Sequence, residues 1–329
     1  MSRRARPLLL VVLASLLSSC SLVPSTFQIA GPQDYSTVST FIIILAMSGG
    51  LLTLVVVLLI FSMIHFRARP GAPEPEQVTG NRRLEIGFIT LSVILISIAF
   101  VLSVGSMVTL AQPAPNALRL VVIGHQWWWE YRYPDLGVVT ANELHVPTGV
   151  PMRVEVESAD VQHDFWLPQF GRMIDAYPGR TNVINVTVDT PGPLVGTCNQ
   201  FCGTEHAWMR ITGVAESQAA FNAWVAQQKQ PALQPTSPEL IRGQQLFLSN
   251  TCVSCHSIAG TSADGVVGPN LTHVGSRQTL GTGVIPNNPQ ELAAWITNPQ
   301  AIKPGVHMPP FTIPSQDIQA IASYLYSLK

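Results

Sequence analysis

The sequence predicts a membrane hairpin of two helices, followed outside the membrane by a β-sandwich and a small all-helical domain. Three observations carry this: two apolar runs long enough to span a bilayer, a middle stretch whose apolar residues alternate, and a last stretch of helical patterning broken by Gly/Pro loops. A chain of 329 residues suggests two or three domains. Charged residues make up 11% and hydrophobic residues 47%, with a formal net charge of -1. That balance suits a membrane protein with soluble parts. It offers no global field to attract a polyanion and argues against nucleic-acid binding.

The first twenty residues, MSRRARPLLLVVLASLLSSC, join an Arg-rich start, an apolar run and small residues. Residues 1–19 read as a secretory signal peptide. The ending Leu17-Ser18-Ser19-Cys20 resembles a bacterial lipoprotein box, which implies that Cys20 becomes a lipidated N-terminus. The plainer alternative is an uncleaved membrane helix with an incidental cysteine. Export places the soluble parts in an oxidising compartment, where free thiols are uncommon unless metals or cofactors hold them.

Within residues 20–116, helices are expected at about 38–66 and 84–110. Phe41 to Phe66 is almost unbroken in apolar character, and its 26 residues rise about 39 Å, enough to cross a core of about 30 Å with tilt. Leu84 to Leu110 is similar. The loop between them carries Arg67, Arg69, Arg82 and Arg83 close to the helix ends. The positive-inside rule puts that loop in the cytoplasm and everything after Leu110 outside.

Residues 117–216 change to short alternating runs. "MRVEVES" puts Met152, Val154 and Val156 on one face and Arg153, Glu155 and Glu157 on the other, and "NVINVTV" alternates with Val183 out of pattern. Pro/Gly/Asp turns separate such runs, which predicts an antiparallel sandwich or barrel. A short amphipathic helix near Ser217–Gln228 and most of the linker QKQPALQPTSP make up residues 217–236. Residues 237–329 carry candidate helices Pro238–Ser249, Pro289–Asn298 and Ser315–Leu328, with Gly243 and Phe247 placed to pack the first on the last around Tyr324 and Leu325.

Cys252-Val253-Ser254-Cys255-His256 is the C-x-x-C-H pattern of covalent heme attachment. Two thiols on one turn add across the heme vinyls, and the next histidine reaches iron from the same face. A redox dithiol gains nothing from His256, and a zinc site lacks a second C-x-x-C. Beyond Val214 the only methionine is Met308, in KPGVHMPPF, and its thioether suits the second axial place. His273 and His307 are its rivals. Gly268-Pro269-Asn270-Leu271 is expected on the proximal side. The segment resembles a class I cytochrome c.

In the middle domain, Cys198-x-Gln200-x-Cys202-x3-His206-x2-Met209 concentrates soft donors. Zinc is disfavoured because only one histidine is local and thioethers bind zinc poorly. A disulfide leaves His206 and Met209 without a role. Blue-copper sites draw a Cys, a His and a weak Met from one loop and a second His from a distant strand. This loop has that plan plus one cysteine, so two thiolates capped by two imidazoles suggest a binuclear copper centre. His163 in ADVQHDFWLP fits the distant place, with His125 and His145 as competitors.

With the hairpin, GHQWWWEYRYPD, VQHDFWLP, DAYPGRTN and the cysteine loop together, the chain resembles subunit II of bacterial heme–copper cytochrome c oxidases fused to cytochrome c. The resemblance covers nearly the whole mature chain. It implies a cupredoxin-like sandwich carrying CuA, two copper ions. His163 and the weak axial Met209 go to one copper, Cys198 and Cys202 bridge, His206 serves the other, and residue 200 gives its backbone carbonyl. One lipid anchor, two copper bridges and two heme thioethers then account for all five cysteines.

The resemblance further implies electron relay from an external cytochrome or a quinol–cytochrome c reductase, through heme on His256 and Met308 and then copper, to the oxygen-reducing subunit I, alongside subunit III. It marks Trp127 as the point where electrons reach copper, against a plain packing role for the tryptophan run. It puts Glu85 at the mouth of a proton pathway, although Phe88-Ile89 stands where the family has Trp-Thr. The family has glutamate where this chain has Gln200, and its carboxylate holds magnesium at the subunit boundary. A neutral amide is a weaker magnesium ligand, so an intact copper pair beside a weakened or absent magnesium contact is expected. The same relay in a nitric-oxide-reducing complex, or a membrane-tethered electron carrier, is the alternative. Residues 117–216 hold six Lys/Arg and eleven Asp/Glu, whereas residues 237–329 hold four of each. A neutral cytochrome gets little steering toward an acidic acceptor, and the tether supplies an effective concentration on the order of millimolar instead.

Overall fold

The computed structural model describes residues 27, 29–67, 69–71, 74, 76–77, 80–112 and 114–329. The signal-peptide and lipidation expectations, Cys20 included, lie outside the described residues. Helices α1 (Pro32–His65) and α2 (Arg82–Leu110) have 34 and 29 residues and are long and apolar enough to cross a membrane. Helix α1 begins earlier than its apolar run, because the polar stretch before Phe41 carries the start chemistry. Pro32 occupies the first turn, where its missing N–H costs nothing. The Asp34 carboxylate accepts from the Ala30 and Gly31 amides at 2.7 and 2.9 Å.

At 1.5 Å per residue α1 is about 51 Å long, well beyond a hydrocarbon core of about 30 Å. Its first turns are not needed for such a span, and they buttress the sandwich. Gln33 and Asp34 are buried there. The Gln33 amide brackets Thr187, donating to its carbonyl at 2.9 Å and accepting from its N–H at 3.2 Å. Asn81 caps α2 by accepting from the Arg83 and Leu84 amides. A Ser36–Ser106 hydroxyl contact of 3.0 Å joins the two helices.

Ten strands follow: β1 (Leu118–His125), β2 (Trp128–Tyr133), β3 (Val138–Ala141), β4 (Glu143–Pro147), β5 (Met152–Ser158), β6 (His163–Leu167), β7 (Arg172–Ala176), β8 (Asn182–Val186), β9 (Gly192–Cys198) and β10 (Arg210–Glu216). They form two five-stranded sheets, β3-β2-β1-β5-β8 and β4-β10-β9-β6-β7. The sandwich is not wholly antiparallel: β1 pairs with β5, and β4 with β10, in parallel. Connections that cross between sheets let neighbours run the same way. Met152, Val154 and Val156 face the core as the alternation predicts. Glu155 is also buried, because Arg119 and Arg153 clamp its carboxylate at 2.8 and 3.0 Å. Helix α3 (Gln218–Gln228) closes one end, setting Phe221 and Trp224 against Tyr133 at 6.0 and 5.4 Å.

The last domain holds α4 (Pro238–Ser249), a two-residue pair β11 (Thr279–Leu280) and β12 (Ile285–Pro286), then α5 (Pro289–Thr297), α6 (Pro299–Ile302) and α7 (Ser315–Ser327). Gly243 lets α4 meet α7 at backbone distance: a Cβ there would lie 2.1 Å from the Ala320 carbonyl oxygen. Phe247 then packs on Tyr324 with ring centroids 6.4 Å apart.

Candidate metal centre

Strand β6 starts at His163 and β9 ends at Cys198, and the two strands pair with Phe165 opposite Cys198. The loop from Cys198 to Met209 is closed at its base, where the Cys198 amide donates to the Met209 carbonyl at 2.9 Å. The folded strands thus hold one distant imidazole beside one sulfur-rich loop. The two sulfurs lie 3.8 Å apart, far beyond the roughly 2.05 Å of a disulfide. Cys198 Sγ is 3.9 Å from His163 Nδ1 and 3.3 Å from the Gln200 carbonyl oxygen. Cys202 Sγ is 3.6 Å from His206 Nδ1 and 3.8 Å from Met209 Sδ. His163, Cys198, Cys202 and Met209 are buried.

Supporting residues fix these donors. Asp160 accepts from His163 Nε2 at 2.8 Å, which turns Nδ1 toward Cys198. The same carboxylate accepts from the Gln126 amide at 2.6 Å. Gln126 and Trp127 side chains both donate to the Cys202 carbonyl, at 2.7 and 3.1 Å. A Cβ at Gly124 would lie 2.8 Å from the His163 ring, so glycine makes room for that imidazole. Gly203 adopts φ +121°, where a Cβ would meet Trp127 at 2.8 Å. Burial pulls the His163 pKa down, but Asp160 and Cys198 outweigh it and hold it above the ordinary value. The neighbouring Cys202 thiol, aided by His163 and backbone amides, holds Cys198 well below the usual thiol range, while Cys202 is pushed up.

The donor set fits a thiolate-bridged copper pair: two sulfurs in contact, one imidazole against each, a thioether and a carbonyl. The competitors are committed elsewhere. His145 bonds Glu216 at 2.9 Å and stacks on Trp224, and His125 stacks on Trp128 at 4.0 Å beside Glu130.

In the last domain, the amides of Cys255 and His256 both donate to the Cys252 carbonyl, at 3.2 and 3.0 Å, so both thiols and the imidazole share one turn. His256 Nδ1 donates to the Pro269 carbonyl at 2.8 Å, which leaves the Nε2 lone pair free. Gly268 abuts the same ring, where a Cβ would lie 2.6 Å away. This arrangement fits a covalent heme with a histidine ligand. His273 is spoken for at both nitrogens, by the Lys329 and Gln230 carbonyls at 3.0 and 3.1 Å. His307 sets its ring against Trp127, with centroids 4.9 Å apart, and Met308 follows it in the loop. Gln300 donates to the Met308 carbonyl at 3.1 Å. Glu85 lies in the first turn of α2, far along the chain from both sites.

The fold brings the expected donors together and adds supports that the sequence analysis does not name. Asp160, one turn's reach before His163 in ADVQH, was readable as a carboxylate partner. Gly124 and Gly203 carried no local signal, because what they avoid is a side chain distant in sequence.

A family profile described as cytochrome c oxidase subunit II, periplasmic domain, matches residues 138–216, and a cytochrome c profile matches residues 240–329. Cytochrome c oxidase subunit 2 of Alkalihalophilus pseudofirmus is 34% identical over 312 residues, which cover 91% of this chain and 89% of that protein. Its counterpart in Bacillus subtilis is 30% identical across 98% of this chain and 97% of the relative. The crystal structure of the periplasmic domain of subunit II of cytochrome oxidase from Bradyrhizobium japonicum is 35% identical, covers 36% of this chain and 97% of that one, and gives a TM-score of 0.34. This chain therefore belongs to the cytochrome c oxidase subunit II family and carries, beyond its sandwich, a cytochrome c domain.

Proposed function

We propose that this chain is the electron-input subunit of a terminal respiratory oxidase, relaying electrons from an external donor by way of a covalent heme c and a binuclear copper centre to the subunit that reduces oxygen with proton translocation. As a member of its family it is a subunit of a heme–copper oxidase, and the oxygen-reducing site is on another chain. The observation that carries the relay reading is the ring of protein donors in which two sulfurs 3.8 Å apart each touch an imidazole.

When bound, the copper pair and the heme supply one-electron chemistry. The chain's part is to hold the ligands still. His163, Cys198, the Gln200 carbonyl, Cys202, His206 and Met209 would together hold the copper pair. Cys252 and Cys255 would anchor heme, and His256 and Met308 would be its iron ligands. The carboxylate behind His163 and the carbonyl behind His256 keep each imidazole in one orientation, which limits rearrangement as charge arrives and leaves. Trp127 ties its indole N–H to the Cys202 carbonyl and so packs directly on the sulfur-rich loop.

The reading places the chain in the bacterial cytoplasmic membrane, with both soluble domains on the outer face, Cys20 lipidated, subunits I and III beside the hairpin and Glu85 at a proton inlet. Gln200 would leave a magnesium contact weakened. The native complex, purified with an optical spectrum, tests the reading by cytochrome-driven gas uptake. Oxygen consumption is expected; a complex that reduces nitric oxide and leaves oxygen untouched would overturn it.

A further inference from the structure

Lys303 belongs to the cytochrome domain, yet it is 1% exposed and its ammonium points into the copper domain. Nζ donates to the Trp127 carbonyl at 3.0 Å and to Thr282 Oγ1 at 2.9 Å. Thr282 in turn donates to the Trp208 carbonyl at 2.6 Å, so one side chain of each pair comes from the cytochrome domain and one carbonyl from the copper domain. Nearby, Gly305 stands against Thr204, where a Cβ would lie 3.1 Å from its methyl. A third tie joins the Gln278 amide to the Glu143 carboxylate at 2.8 Å. Trp127 is left 6% exposed beneath the His307 ring.

Burying an ammonium is a poor way to gain affinity and a good way to gain register. Burial pushes Lys303 down to about 8, with the buried Glu205 carboxylate pulling it back up. A greasy patch would tolerate sliding. A cation that donates to the Trp127 carbonyl and the Thr282 hydroxyl together accepts one seating only.

We propose that Lys303 is a positioning residue that locks the cytochrome domain onto the copper loop and so holds His307, the neighbour of Met308, against Trp127. The inference rests on the electron-relay reading. The tether between α3 and α4, residues 229–237, alone sets an effective concentration on the order of millimolar, which raises encounter without fixing orientation. The lock replaces encounter with a standing contact, and it closes Trp127 to outside donors, which must deliver to the cytochrome domain. Electron tunnelling falls steeply with separation, so a fixed seat makes the transfer fast and uniform.

The test uses the full oxidase complex, comparing wild type with Lys303→Met, which keeps the stem, and Lys303→Glu, which sets a carboxylate against the Trp127 carbonyl and Glu205. Heme spectrum and copper content report that both centres are loaded. Heme-to-copper transfer by flash photolysis is expected to be independent of viscosity in wild type, and to be slowed at least tenfold and to become viscosity-dependent in Lys303→Glu, with Lys303→Met between. Amide exchange around residues 127 and 282 should quicken in the same order. Unchanged rate and exchange in Lys303→Glu, or a wild-type rate already proportional to viscosity, would overturn the lock. No transfer at all in fully loaded wild type sinks the relay reading instead, and amide exchange then still decides the lock.

Discussion

Two cysteine pairs sit in the two domains that follow the hairpin and are handled in opposite ways. Cys198 and Cys202 are buried at 2% and 4% exposure, sulfur to sulfur, inside a ring of protein donors. Cys252 and Cys255 are half-buried on a single surface turn with His256. The anchoring of the histidines differs in step: a charged carboxylate behind His163, a neutral carbonyl behind His256. A small ion needs donors that already converge, so the sandwich brings them from β6 and the β9–β10 loop. A large flat group needs thiols displayed side by side, and a single turn does that.

The comparison breaks first if the two sites are not independent. Cys202→Ser removes a sulfur that touches Cys198, His206 and Met209 at once. Copper content of the purified complex should fall to background, with heme on a denaturing gel unchanged. Cys252→Ala with Cys255→Ala should reverse the pattern, releasing heme on denaturation while copper stays. Loss of both centres in either variant would show that one site's assembly depends on the other.

The anchors should matter next. Asp160→Asn keeps the shape and removes the charge behind His163, and outer partners of metal-bound histidines typically contribute about 10–100-fold in affinity. Chelator competition on the copper-loaded complex should show a loss in that range, with the heme spectrum unmoved. An unchanged copper affinity would make Asp160 a packing residue.

A smaller effect is expected from the scaffold of the second site. Gly243→Ala sets a methyl 2.1 Å from the Ala320 carbonyl oxygen and 2.8 Å from Tyr324 Cβ, so α4 and α7 must separate. Overpacking of this kind costs about 1–3 kcal/mol, against a gain of up to about 1 kcal/mol in helix propensity. Thermal unfolding of the cytochrome domain, followed through its heme absorbance in the full complex, should move to lower temperature with copper retained. A higher midpoint would mean that the crossing has slack.

What sequence could and could not reveal divides along similar lines. The C-x-x-C-H turn and the Cys–His–Met loop were legible because their donors are close in sequence, and α4 and α7 were legible through Gly243, Phe247 and Tyr324. His163 was found as a partner of the loop only by weighing it against His125 and His145, whose engagements with Trp128 and Glu216 are tertiary. Lys303 carries no signal of its own in KPGVHMPPF. Nothing local tells that another domain's carbonyl waits 3.0 Å away. The start of α1 was misplaced for a different reason: periodicity reads apolar residues, and Pro32 to Ser39 form a helix through capping and through Gln33's grip on Thr187.

The finest distinction lies within the copper loop itself, between the backbone and the side chain of Gln200. Its carbonyl oxygen sits 3.3 Å from Cys198 Sγ, whereas its side chain is exposed. A substitution that alters only the side chain should therefore leave the copper spectrum alone. Gln200→Glu adds a carboxylate, a better ligand than an amide for a hard divalent ion. In manganese-substituted complex, EPR should show manganese bound more tightly in Gln200→Glu than in wild type, by about tenfold, with new coordination by residue 200. Tight manganese already coordinated by residue 200 in wild type would refute the weakened contact, and a shifted copper spectrum in the variant would show that side chain and carbonyl do not act separately.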